Sequence, residues 1–318
     1  MNEPRVVVLA FAAAALAACS PTLPAAPPHA FVAPAVDGPP LDVCWLEYAR
    51  DSQPGSYGLA GSSDATTWQV TFSGLLVRHP KGHVLIDVGP STHFGDEIAT
   101  SGFFARVLQR FVQGAGARVA TAPEALRSVG EDAARLRGIV LTHVHADHAG
   151  GVMDLPKVPV LLSADELAFA EREKDQGGFD VVLAEEREIA KRAEPIRFAA
   201  RPYENFDRSF DLFGDGAVVL VPLAGHTPGS LGVFVTRSPR ERFFLVGDAT
   251  NLEEAIEKRR GKSVVIGFTD HDGAEADRVV AKLTQLHALD PGLVFVPAHD
   301  RTAWARAFAA PGRCLGAR

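Results

Sequence analysis

The sequence predicts an α/β (α+β) fold in which two β-sheets stack face to face and helices cover their outer faces. Three observations predict it. Apolar or alternating runs of four to eight residues recur along the chain and are closed by Gly or Pro, as buried strands are. Between them lie stretches with apolar residues at helical spacing, in the order strands, helix, strands, helix. The 318 residues are 47% hydrophobic with a formal charge of −7, enough apolar content for a substantial core.

The first residues stand outside that fold. Met1 to Arg5 is a short polar segment, Val6 to Leu16 is apolar but too short to span a bilayer, and Leu16-Ala-Ala-Cys19 resembles a bacterial lipobox. Residues 1–18 are therefore expected to be a lipoprotein signal peptide and Cys19 the lipidated first residue of the mature chain; cleavage as an ordinary signal peptide is the alternative. Lipidation would tether the protein without a spanning helix. Ser20 is not the aspartate that marks inner-membrane retention in such lipoproteins, so the expected address is the cell envelope, at the periplasmic face of the outer membrane. Residues 19–40 hold seven prolines from Pro21 onward and read as a semi-extended linker lifting the domain off the membrane. The catalytic domain is expected at residues 41–318.

Within it, Val43 to Tyr48, Thr67 to Phe72, Gly74 to Arg78 and His83 to Asp87 read as strands of a first sheet, with a hairpin turn at His79-Pro-Lys-Gly82. Gly102 to Val112 has helical spacing; a core helix is the default reading, and as a lid it would offer Phe103 and Phe104 as candidate substrate contacts. A helix with Pro in its first turn is expected from Pro123 to Leu136. Ser163-Ala-Asp-Glu166 is a capping box opening a helix, Glu185 to Arg192 a charged helix, Leu252 to Arg259 another, and Asp272-Gly-Ala-Glu275 opens the last long one. His271, between two aspartates ahead of that helix, is a candidate rim residue.

The chemistry concentrates in Leu141-Thr-His-Val-His-Ala-Asp-His-Ala-Gly-Gly151, directly after the apolar run Gly138 to Thr142. In extended backbone His143 and His145 point the same way and can converge on one ion. A turn after them lets Asp147 and His148 face a second. Imidazole nitrogen with carboxylate oxygen suits zinc, and iron, manganese or cobalt by the same chemistry. Four ligands do not complete two ions, and three more stand at the ends of apolar runs: His226 after Ala217 to Leu223, Asp248 after Arg242 to Val246, and His299 after Leu293 to Pro297. Asp87 closes an earlier run in the same way.

With these residues in that order, roughly residues 42 to 305 resemble a metallo-β-lactamase superfamily hydrolase: the family's His-x-His-x-Asp-His signature matches residues 143 to 148, and its later His, Asp and His match His226, Asp248 and His299. The resemblance implies a four-layer αββα sandwich and two Zn²⁺ per chain. It implies that His143, His145 and His226 hold one metal, that Asp147, His148 and His299 hold the other, that Asp248 bridges them, and that Asp87 supports the site from behind. Catalysis would use a metal-bridging hydroxide on a carbonyl, with Asp147 orienting the nucleophile and relaying its proton.

Among subfamilies, Gly247-Asp248 argues against a β-lactamase, since secreted members resembling this chain lack the bridging aspartate. Glyoxalase II-type thioesterases carry it, and Gly225-His226-Thr-Pro-Gly-Ser230 is similar to theirs, but they add a helical region for which no room is expected after His299. Lactonases that open N-acyl homoserine lactones keep all seven ligands without it. The expected function is a dinuclear zinc-dependent ester or lactone hydrolase acting on a small-molecule carbonyl substrate. A glyoxalase II-like thioesterase, a β-lactamase and a phosphodiesterase are the alternatives. The acidic balance, a formal charge of −7, excludes nucleic acid as an expected partner. Cys44 and Cys314 form one disulfide or remain independent thiols; the sequence does not show their separation, and independent thiols are the default.

Overall fold

The apolar runs pair into two sheets in a computed structural model that describes residues 22–34, 38–97, 117–176 and 182–316. The expected Gly102–Val112 helix with Phe103 and Phe104, the signal segment and Cys19 lie outside the described residues. In the first sheet β1 (Asp42–Pro54), β2 (Thr67–His79) and β3 (Gly82–Ile86) form an antiparallel meander, and β4 (Ala117–Arg118) pairs with β1. β5 (Leu136–Val140), β6 (Val160–Ser163) and β7 (Ala193–Ile196) then run parallel. The second sheet holds β8 (Phe210–Asp211), β9 (Val218–Pro222), β10 (Leu231–Ser238), β11 (Glu241–Gly247) and β12 (Leu293–Pro297) in the order β12-β11-β10-β9-β8. β13 (Cys314–Leu315) returns to the first sheet beside β1.

Parallel neighbours need crossovers, and helices supply them. Ala164–Gln176 and Leu183–Arg192 lie between β6 and β7; Glu253–Lys258 and Gly273–Leu289 lie between β11 and β12. Alternation along the strands then sorts the apolar side chains into layers. Trp45, Leu75, Val77 and Ile86 of the first sheet meet Leu220, Val233, Val235 and Leu245 of the second in one buried cluster. On the first sheet's other face, Leu46, Leu76 and Leu85 pack with Leu126, Phe169 and Ile189 of the helices; on the second sheet's other face, Val221, Phe234 and Phe244 pack with Val279, Leu283 and Leu286 of Gly273–Leu289. These layers are the expected αββα sandwich. Each such side chain contributes about 1.5–3 kcal/mol on full burial.

Four expectations change. The two runs 67–72 and 74–78 are one continuous strand, β2, because Gly74 is not a breaker: a Cβ there would meet the Asp87 carbonyl at 2.2 Å, so the residue marks close backbone approach. The helix expected over 123–136 stops at Ser128, where the chain turns through Gly130 at φ +70° before a 3₁₀ turn at Ala133–Arg135. Its start is a complete capping box of Thr121 with Glu124. Cys44 and Cys314 face each other across the β1/β13 register and are disulfide-bonded, closing a separation of 270 residues.

The fourth concerns the linker, of which residues 22–34 lie along the domain instead of standing free. The Leu23 N–H donates to the Arg259 carbonyl, Gln285 donates to the Pro27 carbonyl, and Val32 and Glu204 exchange backbone hydrogen bonds. Pro24 to His29 thus lie against the helix Gly273–Leu289 across a cavity of about 480 Å³.

Candidate metal centre

Five strand ends converge on one cleft. β5 leads through Leu141 and Thr142 to His143; His145 caps the one-turn helix Ala146–Ala149, whose curl brings Asp147 and His148 round to the same side. β9 leads to His226, β11 to Asp248, β12 to His299 and β3 to Asp87.

The side chains fall into two groups. His143, His145 and His226 place one nitrogen each within 4.8 Å of the others, and Asp147, His148 and His299 do the same with a carboxylate oxygen and two nitrogens. Asp248 lies between the groups: its carboxylate is 3.2 Å from His148 Nε2, 3.3 Å from His299 Nε2 and 3.6 Å from His226 Nε2. Its Oδ1 is buried and faces His148, and its Oδ2 faces His226 and His299, so one carboxylate presents an oxygen to each group. The donor set of imidazole and carboxylate fits two zinc-type ions. A separate cluster with cysteine ligands, Asp42 with Cys44 and Cys314, does not compete, since both sulfurs are consumed in the disulfide.

The electrostatics of the two groups differ. Burial, reinforced by neighbouring imidazoles, pushes His143 well below the ordinary histidine range and His145 down to about 3. Burial and then the Lys262 ammonium lower His226. These three rings are neutral, as a ligand must be. Burial opposes charge on His148 and His299 too, but carboxylates win: Asp248, then Asp147 and Asp87, lift His148 well above its usual range, and Asp248 with Asp147 lifts His299 to about 10. Asp147 and Asp248 are correspondingly lowered against the burial penalty, by His148 and His299.

Outer partners aim the rings. His148 Nδ1 is 2.9 Å from Asp87, which also accepts from the Thr142 N–H and hydroxyl. His299 Nδ1 donates to the Thr71 carbonyl and His226 Nδ1 to Asp270, leaving Nε2 of each pointing inward. His271 is tied to the site by its N–H on the His226 carbonyl, with its ring 5.4 Å from Phe169.

Sequence reasoning missed two supports. Glu166 opens its helix as expected, its N–H donating to Ser163 Oγ, but its carboxylate does not complete a capping box. It accepts instead from the Val144 N–H between two of the histidines, and from the Thr227 hydroxyl and Gly229 N–H beside the third. Gly229 is required there, because a Cβ would meet Glu166 N at 2.0 Å. The second support is Lys262, whose Nζ is 2.5 Å from Asp270 and 3.2 Å from His226 Nδ1. No spacing rule links residue 262 to residue 226, so no local signal was available.

Known proteins agree with this geometry. The pattern of the metallo-beta-lactamase superfamily matches residues 66–299. A probable metallo-hydrolase of Mycobacterium tuberculosis is 28% identical over 85% of this chain and 83% of its own length. The N-acyl homoserine lactonase AiiB of Agrobacterium fabrum is 28% identical over 78% of this chain and 89% of its own. Among solved structures, an N-acyl homoserine lactone hydrolase with N-hexanoyl-L-homoserine at its catalytic metal centre superposes with a TM-score of 0.60 at 17% identity, covering 84% of this chain and 96% of that one. The dizinc quorum-quenching lactonase AidC gives 0.58 at 17% identity, covering 83% and 89%. The chain belongs to the metallo-β-lactamase superfamily and is a metal-dependent hydrolase.

Proposed function

We propose that the protein is a dinuclear zinc hydrolase that opens esters and lactones, with N-acyl homoserine lactones as its substrate class. The observation that carries this is Asp248, whose carboxylate stands within 3.6 Å of nitrogens from both ligand groups, as a bridge between two ions requires. His143, His145 and His226 would hold one ion, Asp147, His148 and His299 the other. Bound zinc supplies Lewis acidity and a water nucleophile at neutral pH. The protein supplies the rest. Asp147, 11% exposed at the side chain and held below the usual carboxylate range by His148 and His299, would accept the attacking water's proton and return it to the leaving alkoxide. Phe72 packs edge-on against the His299 ring at 5.1 Å. Likeness to lactonases at 27–28% identity supports the substrate class.

Proton release measured against acyl lactones, thioesters, cephalosporins and phosphodiesters tests the reading, with Asp248→Ala as control. Lactone turnover lost in the variant supports it; silence on lactones with turnover of another class overturns the substrate and keeps the centre. Phe103, Phe104 and His271 are proposed substrate contacts, and Phe103→Ala with Phe104→Ala should raise KM for long acyl chains more than for short ones. The envelope address is likewise a proposal, resting on Leu16-Ala-Ala-Cys19. A mature chain whose N-terminal residue, read by mass spectrometry, is not an acylated Cys19 would overturn it.

A further inference from the structure

Among the described residues the two most exposed large apolar side chains are Val264, at 75%, and Phe268, at 49%. They stand four residues apart on the one-turn helix Val264–Gly267 and its cap, hence on one face. The inner side of that turn is well packed: Ile266 joins Tyr57 and Leu252 against Trp68, Val70 and Phe72, and Ser263 caps the turn by accepting from the Val265 and Ile266 N–H groups. The exposed pair is therefore the outer face of an ordered element. That element stands beside the metal centre, because Lys262 just before it and Asp270 just after it contact Nδ1, the outward edge of the His226 ring.

Two independent observations say what meets this face. The N-terminal segment joins the domain here: Leu23 exchanges hydrogen bonds with Arg259 through its N–H and its carbonyl, and its side chain lies 3.8 Å from where a Cβ on Gly261 would be. Cys19, the candidate lipid-bearing residue, precedes Leu23, and four residues of chain span at most about 14 Å. The second is charge. Lys258-Arg259-Arg260-Gly261-Lys262 carries four cations in five residues. Lys258 pairs with Glu254 and Lys262 with Asp270, whereas Arg259 and Arg260 have no carboxylate partner among the described residues. Apolar side chains flanked by arginine are the composition of an interfacial membrane contact.

We propose that Val264 and Phe268, with Arg259 and Arg260 shortly before them in the chain, dock the protein on an anionic phospholipid surface and so bring the metal centre close to the bilayer. Substrates with long acyl chains, which partition into lipid, then reach the centre from the membrane; this part rests on the lactonase reading, and the docking does not.

The test reads docking without reading catalysis. The full chain carrying Phe268→Trp is mixed with vesicles of phosphatidylethanolamine and phosphatidylglycerol whose acyl chains are brominated, and tryptophan emission is followed. Trp45, Trp68 and Trp304 are buried and give a constant background. Leu289→Trp, exposed at the far end of a 17-residue helix about 25 Å long, is the control. Blue-shifted and quenched emission from Phe268→Trp but not from Leu289→Trp supports the proposal. So does a roughly tenfold or greater loss of vesicle binding in Val264→Asp/Phe268→Asp with hydrolysis of a short, soluble lactone unchanged. Four results overturn it: no quenching at position 268, equal quenching at both positions, emission already blue-shifted before lipid is added, or a shift caused by a soluble acyl lactone and not by vesicles.

Discussion

The two halves of the metal centre are built from similar side chains and held in opposite charge states. His143, His145 and His226 are neutral because burial and one another's company penalise a proton. His148 and His299 are equally buried, yet each faces Asp147 and Asp248 and holds a proton well above the usual range. The difference lies in the placement of two carboxylates. The all-histidine half is ready to accept a cation, whereas the half with Asp147 must exchange protons for it. The lesson is that equal burial does not give equal ligands; the counter-charge decides.

The most damaging way to break this comparison is to remove the group both halves share. Asp248→Ala should lower kcat/KM at least about a thousandfold and reduce bound zinc below two equivalents, read by steady-state kinetics and metal analysis. Next comes Glu166, which ties the loops of the all-histidine half together. Glu166→Ala strands the Val144 and Gly229 N–H groups and should cost about 3 kcal/mol in chemical denaturation. Burial raises this carboxyl from 4.5 to about 7 despite its hydrogen bonds. Its contribution to stability is thus fully present below 4.5 and lost as pH rises through 7, a dependence that Glu166→Gln should remove.

The outer partners sharpen the comparison selectively. Asp270→Ala should weaken zinc at the all-histidine half by roughly 10–100-fold, and Asp87→Ala at the other half by a similar factor, each leaving its neighbour nearly unchanged in a competition titration. The smallest effect at the centre is expected from the disulfide. Cys44→Ala with Cys314→Ala should lower stability by about 2–4 kcal/mol while both zinc affinities stay the same.

The dense motif at residues 143 to 148 was legible because its ligands are neighbours in sequence, where strand and turn periodicity apply directly. His226, Asp248 and His299 were legible because each follows an apolar run closed by Gly or Pro, and parallel strands deliver their C-terminal ends to one side of the sandwich. Glu166 was hidden by a sufficient local explanation: a capping box accounts for its position and leaves no residual signal. Lys262 and Asp270 act on His226 from a loop whose path the spacing does not encode. The disulfide needed a distance, which the β1/β13 register provides and composition does not. Residues 22–34 were read as free linker because prolines disfavour helix and strand alike; proline also lies well in a groove, which composition does not reveal.

The most direct measurement is calorimetric titration of zinc into metal-free protein, repeated in buffers of different ionisation enthalpy and at several pH values. The account predicts two steps. The first releases almost no proton near neutral pH, and the second releases up to two, with an affinity falling roughly tenfold per pH unit for each proton displaced as pH drops below about 10. Two steps with equal proton release, or a second step indifferent to pH, would contradict the division of the centre into a ready half and a proton-holding half.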